Sequence, residues 1–69
     1  MIEERHRLLL ERERVDLSKV SQVELWTHTL DIYTADLFNA VAAVGNSSDA
    51  VLRYILERGL AGRARRAAD

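Results

Sequence analysis

Three blocks of apolar residues at helical spacing run through the middle of the chain. The spacing i, i+3, i+4, i+7 is typical of one face of an amphipathic helix. The first block is Val23, Trp26, Thr27 and Leu30; the second is Leu37, Ala40, Val41 and Val44; the third is Val51, Tyr54 and Ile55, with Leu52 beside them. The pattern predicts three helices, and we expect Trp26, Tyr33, Phe38 and Tyr54 to pack in a small core rather than to bind a ligand.

Residues with capping side chains predict where these helices begin. The predicted starts are Ser21, which forms a capping box with Glu24, then Thr34 with Asp36 in the first turn, then Ser47 or Ser48 with Asp49 in the first turn. Gly45 can adopt a positive φ and predicts the end of the second helix. Gly59 and Gly62 predict the end of the third.

The first two blocks are also compatible with one long helix. Eight positions from Val20 to Val44 follow a 3,4 spacing, which is the seam of a coiled coil, and no Gly or Pro lies between them. Two of the eight are Thr, and residues 32–34 form a β-branched and aromatic run of poorer helix propensity. We predict a break near Asp31–Thr34, with the single helix as the alternative.

The predicted fold class is all-α, a small three-helix domain with a helix-turn-helix-like C-terminal pair. Residues 1–13 form a charged N-terminal arm or frayed helix, residues 14–60 the helical domain, and residues 61–69 a basic, disordered tail. The alternative fold is a ribbon-helix-helix dimer, in which a short N-terminal strand around Val15 and Leu17 pairs with its mate. That alternative requires residues 20–44 to be one helix.

Charge is segregated along the chain although the net charge is only −1. Residues 1–19 carry five acidic and five basic side chains, residues 20–49 four acidic and no basic ones, and residues 50–69 five Arg and two acidic ones. The basic C-terminal end favours a polyanionic partner. The 69 residues include no Cys, and no apolar run is long enough to span a membrane, so we expect a soluble cytoplasmic protein.

Several short motifs together resemble a family of small bacterial proteins, the domain of unknown function 3606 family. They are Arg14-Val15-Asp16-Leu17, Glu24-Leu25-Trp26-Thr27, Leu37, Ala40-Val41, Val44-Gly45, Ser47, Ala50-Val51 and Arg53-Tyr54. The resemblance covers residues 14–56. Asp31 stands where members of the family often have a Gly that closes the first helix. The resemblance implies a compact helical domain and no particular activity.

Catalytic and metal-binding patterns are weak in this sequence. There are two His, no Cys and no Gly-rich phosphate loop. Glu24, His28 and Asp31 share one helical face, but a solvated helix surface explains them better than a metal site does. We predict a non-enzymatic protein without a cofactor.

The turn at residues 45–47 has the length and the glycine of the turn in a DNA-reading helix-turn-helix. In such a pair the second helix enters the major groove. The predicted partner is double-stranded DNA. The predicted contacts are Ser47, Ser48, Arg53, Arg58, Arg63, Arg65 and Arg66. Arg53 also has Asp49 and Glu57 four residues away, and a local charge ladder explains it more simply.

Two further interpretations remain open. In the ribbon-helix-helix alternative, Arg12, Arg14 and Asp16 of the strand face the DNA. In the other, the protein is a homodimeric interaction module that pairs through the Val20–Val44 seam and binds no nucleic acid. A second copy of the chain is the predicted partner in both.

Overall fold

Five helices make up the computed structural model, which describes residues 4–11 and 13–68. They are α1 (Glu4–Leu10), α2 (Val20–Leu30), α3 (Thr34–Val44), α4 (Ser48–Glu57) and α5 (Arg63–Ala68). Across the described ranges there is no β-strand beyond one isolated bridge. The all-α prediction is therefore confirmed, and α2, α3 and α4 are the three predicted helices.

Helices α2 and α3 are separate, with the predicted break in the helix at residues 31–33. Asp31 takes a left-handed backbone conformation, with φ 52° and ψ 52°. The N–H of Ile32 then donates to the carbonyl of Thr27 at 3.1 Å, and the Ile32 side chain is buried. A left-handed residue followed by a buried apolar one is a common way to end a helix. The continuous Val20–Val44 seam therefore does not exist.

The turn between α3 and α4 follows the predicted residues. Gly45 has φ 86°, which favours glycine, and its N–H donates to the carbonyl of Val41 at 2.8 Å. Ser47 is the N-cap of α4, and its Oγ accepts a hydrogen bond from the N–H of Ala50 at 3.5 Å. Both predictions at this turn are confirmed.

The predicted starts of α2 and α3 are each wrong by one or two residues. Helix α2 begins at Val20 with Lys19 as its N-cap and has no side-chain capping bond, so the Ser21–Glu24 capping box does not form. Thr34 is the first residue of α3 rather than its cap. The carboxylate of Asp36 accepts from the N–H of Tyr33 at 3.3 Å, so it is Asp36 that stabilises this start.

Helices α1, α2, α3 and α4 share one apolar core. Trp26 is fully buried at its centre, and α3 packs against both α2 and α4, while α1 packs against α2 and α4. The core residues are Leu9, Val15, Trp26, Leu30, Ile32, Leu37, Ala40, Val51, Leu52 and Ile55. Each of the three apolar blocks contributes to this core, whereas Tyr33, Phe38 and Val44 remain 40–44% exposed. The expectation that Tyr33 and Phe38 pack in the core is wrong.

Residues 13–15 lie across the turn between α3 and α4. The N–H of Val15 donates to the carbonyl of Asn46 at 2.8 Å, and the N–H of Ser48 donates to the carbonyl of Glu13 at 3.1 Å. Val15 is buried in the core of its own chain. The segment predicted as an intermolecular strand thus pairs within the chain, and with α2 and α3 separate, the ribbon-helix-helix alternative is wrong.

The basic segment at the C-terminal end is helical rather than a disordered tail. Two hydrogen bonds join its start to the end of α2: the N–H of Gly62 donates to the carbonyl of Leu30 at 2.7 Å, and the N–H of Ala64 donates to that of Asp31 at 2.9 Å. These bonds satisfy carbonyls that the end of a helix leaves without partners. Helix α5 is therefore attached to the domain at its first turn.

Candidate interaction surfaces

Helix α3 presents a stripe of uncharged side chains to solvent. Ala35, Phe38, Asn39 and Ala42 are all exposed and follow the spacing i, i+3, i+4, i+7; we call them the α3 outer face. Phe38 is its largest member and is 44% exposed. The expectation that Phe38 packs in the core follows from its aromatic side chain, whereas the spacing of Leu37, Ala40 and Val41 already places the core on another face of the helix.

The whole of α3 lacks an exposed charge. Its single ionisable residue, Asp36, is 8% exposed and is bonded to the start of the helix. The remaining exposed residues of the helix are Thr34, Ala43 and Val44. Because 30% of the chain is charged, an eleven-residue surface helix without one solvated charge is unlike the rest of the molecule.

A second apolar surface on α4 differs in charge. A shallow cavity of about 220 Å³ is lined by Leu52 and Leu56, with Asp49, Arg53 and Glu57 around them. Asp49 and Arg53 form an ion pair at 3.3 Å, with both side chains more than half exposed. This surface is therefore ringed by solvated charges of both signs, as an ordinary solvent-facing helix is.

The two serines predicted to hold phosphate are engaged within the protein. Ser48 is 1% exposed, so its side chain does not face solvent as a DNA contact would. Ser47 is exposed, but its Oγ already accepts from Ala50 as the cap of α4. The backbone N–H of Ser48 donates to Glu13. The start of α4 is thus occupied by residue 13 of the same chain.

The predicted arginine contacts divide into bound and open groups. Arg53 pairs with Asp49 at 3.3 Å, which supports the charge-ladder interpretation, and Arg63 pairs with Asp36 at 3.5 Å. Arg58 lies over the ring of Tyr54, 4.4 Å from its centroid. Arg65 is exposed and makes no ion pair within the described ranges, while the side chain of Arg66 lies outside the described residues.

Of the alternative strand contacts, Arg14 lies at the turn between α3 and α4. Arg14 is exposed there and forms an isolated bridge with Ser47, whereas Arg12 lies outside the described residues. Asp16 accepts hydrogen bonds from the Ser18 hydroxyl at 2.5 Å and from the Ser18 N–H at 3.0 Å. The Ser18 hydroxyl and then its N–H hold the pKa of Asp16 below its ordinary value of 3.8; burial opposes this shift, and nearby Lys19 adds the weakest contribution to lowering the pKa.

The candidate metal face is not assembled. Glu24 and His28 lie exposed on α2, and Asp31 lies beyond its end in the left-handed turn. Within residues 4–11 and 13–68, no group of three or more metal-ligating side chains is close enough to hold an ion. The same part of the chain contains no helix that is long and apolar enough to cross a membrane.

The fold and these surfaces define a small all-α domain. The chain belongs to the family described as "Protein of unknown function (DUF3606)", which matches residues 4–55, from α1 into α4. The resemblance found in the sequence over residues 14–56 is thereby confirmed. Comparison with curated proteins and with solved structures finds no match.

Proposed function

We propose that this chain is a non-enzymatic protein-interaction module that binds its partner on the α3 outer face. The observation that carries the proposal is the uncharged, exposed stripe of Ala35, Phe38, Asn39 and Ala42 on a helix with no solvated charge. Depletion of charge around an exposed aromatic residue is the compositional mark of the centre of a protein interface. We propose the cytoplasm as its setting, in keeping with a sequence that has no Cys to oxidise.

Covering this stripe is favourable because it removes apolar surface from water. Phe38 offers a rigid ring, and the alanines on either side add little side-chain entropy to be lost on binding. Asn39 adds an amide whose donors and acceptor a partner satisfies. An aromatic anchor within a neutral, small-residue surround is an arrangement that supports a binding hot spot.

Site-specific photo-crosslinking in cells tests the proposal. A benzophenone amino acid replaces Phe38, which is an aromatic-for-aromatic change at an exposed position, and the matched control carries it at Glu57 on α4. We expect a protein adduct from position 38 and little or none from position 57. Equal amounts of crosslinked adduct from both positions, or no adduct from position 38, would contradict the proposal.

A second candidate function is DNA binding, and the exposed arginines favour it. Arg14 and Arg65 form no ion pair within the described ranges, and Arg58 contacts a tyrosine ring rather than a carboxylate. Uncompensated cations give affinity for phosphate that falls steeply with salt. The candidate is supported by fewer residues than the sequence suggests, because Arg53 and Arg63 are paired with carboxylates.

Fluorescence anisotropy with duplex DNA at about 50 and about 200 mM salt checks this second function. Binding through these cations predicts a loss of affinity on raising the salt and on changing Arg14 or Arg65 to Gln. Arg53→Gln is the matched control, because Arg53 is already paired with Asp49. The absence of binding at the lower salt concentration excludes this function.

A further inference from the structure

We infer that the partner on the α3 outer face is a second copy of this chain, with the two α3 helices packed antiparallel about a two-fold axis near Phe38 and Asn39. This inference rests on the proposed function and names its partner. It replaces the Val20–Val44 seam, which the break at Asp31 removes, with a shorter surface on one helix.

A neutral surface is suited to pairing with itself. A two-fold interface brings the same patch of both copies together, so any net charge on the patch meets its own sign. The α3 outer face carries no charge, and the one carboxylate of α3 is buried. The α4 surface is the contrasting case, since antiparallel pairing there would bring Asp49 of one copy towards Glu57 of the other.

The spacing of residues along α3 fits an antiparallel arrangement. Ala35 and Ala42 lie at equal distances in sequence from the point between Phe38 and Asn39. A two-fold axis at that point places Ala35 of one copy opposite Ala42 of the other, at both ends of the contact. Small residues there allow the helices to approach, and each Phe38 then fills the space beside the axis.

Asn39 is the polar residue in this arrangement. An amide carries both donors and acceptors, so two Asn39 side chains across a two-fold axis can satisfy each other. A buried polar pair of this kind fixes the register of a helix pair at some expense in stability.

The size of the domain favours self-association, and the size of the surface limits its strength. A chain of 69 residues without Cys has little apolar area to bury and gains stability when a second copy adds to its core. The eleven residues of α3 span about 16 Å. Such a contact is smaller than a standard interface, so we expect a dissociation constant of about micromolar order.

Cysteine crosslinking tests the arrangement directly, because the sequence contains no Cys of its own. The variants are Ala35→Cys and Ala42→Cys, oxidised separately and as an equimolar mixture, with Glu57→Cys as the control. Antiparallel pairing predicts a disulfide dimer in the mixture of the two variants and little in either one alone. A parallel pair crosslinks each variant to itself, and that result overturns the inference.

Sedimentation equilibrium of the unmodified protein across micromolar concentrations gives the second readout. We expect a monomer–dimer equilibrium that Phe38→Glu weakens by at least about tenfold, since it buries a charge against its own copy. Leu56→Glu, a similar change on α4, leaves the equilibrium unchanged. Circular dichroism checks that both variants fold. A monomer at every concentration overturns the inference, and if position 38 still gives an adduct with a different protein in cells, the proposed function stands without it.

Discussion

The carboxylate of Asp36 joins two parts of the chain that are 27 residues apart. Its Oδ1 lies 3.5 Å from Nη1 of Arg63 at the start of α5, and its Oδ2 accepts a hydrogen bond from the N–H of Tyr33 at the start of α3. The guanidinium of Arg63 also lies 5.9 Å from the centroid of the Tyr33 ring. One nearly buried carboxylate thus stabilises the beginning of α3 and attaches α5 to it.

Substitutions of Arg63 and of Asp36 distinguish the attachment of α5 from the stabilisation of the start of α3. Arg63→Gln is expected to cost about 0.5 kcal/mol of unfolding free energy, since the guanidinium is half exposed. Asp36→Asn removes the pair and also the charge at the helix start, and is expected to cost about 1 kcal/mol. Hydrogen exchange on the amides of α5 provides the local readout, with faster exchange expected in both variants.

Arg53→Gln is the control for this pair of variants, because it breaks the more exposed Asp49–Arg53 pair on α4. Its effect on unfolding and on α5 exchange is expected to be negligible. Unchanged exchange in α5 after loss of Arg63 would mean that the backbone bonds from Gly62 and Ala64 hold the helix by themselves.

The left-handed conformation of Asp31 makes its side chain a determinant of stability. Asp31→Ala is expected to lower the unfolding free energy by about 1 kcal/mol, because a Cβ without a local polar group is disfavoured at positive φ. Asp31→Asn keeps the tolerance for this conformation and removes a negative charge from the helix C-terminus, so it is expected to retain or slightly raise stability. Urea denaturation measures both, and equal loss in the two variants would contradict the argument.

Acid is expected to remove the contribution of Asp16. Its pKa is held below 3.8 in the folded protein, chiefly by the Ser18 hydroxyl, so the ionised form stabilises the fold above that pH. This stabilisation declines as pH falls through the lowered pKa. The melting temperature of the unmodified protein should therefore exceed that of Asp16→Asn at neutral pH, and the gap should close in acid.

Ser18→Ala provides the check on the cause, since it removes the hydroxyl that accounts for the largest part of the lowered pKa. Both Ser18→Ala and Asp16→Asn should show a smaller difference in melting temperature between pH 7 and acid than the unmodified protein does. If the unmodified protein still melts at a higher temperature than Asp16→Asn at the lowest pH, the effect of Asp16 comes from the shape of its side chain and not from its charge.

Trp26 is the side chain on which the core depends most. Trp26→Ala is expected to cost about 3–5 kcal/mol, which is comparable to the whole stability of a domain of this size. Circular dichroism at 25 °C should show a largely unfolded chain. Val20→Ala is the contrast, because Val20 is 71% exposed and its loss should change stability by no more than about 0.5 kcal/mol.

Local sequence signals predict most of the three central helices. The break at Asp31, the stop at Gly45 and the cap at Ser47 depend on residues within one turn of the feature, so the sequence reveals them. The failed capping box at Ser21 is also local, but there the competing turn at residues 16–19 starts α2 earlier, with the N–H of Lys19 donating to the carbonyl of Asp16 at 3.2 Å.

Features that depend on distant residues were not predictable. The helical state of residues 63–68 rests on bonds to Leu30, Asp31 and Asp36, and nothing in the local composition indicates those partners. The pairing of Val15 with Asn46 is equally remote in sequence. The exposure of Phe38 is a different case, because the spacing of Leu37, Ala40 and Val41 already leaves Phe38 outside the predicted core face.

The hydrogen bond from Gly62 to the carbonyl of Leu30 has a consequence for the order in which the protein is made. The end of α2 lacks this partner until residue 62 has been synthesised, and α5 cannot attach until residue 64 has followed it. The two bonds that join α5 to the end of α2 therefore form only after residues 62–64 have emerged from the ribosome.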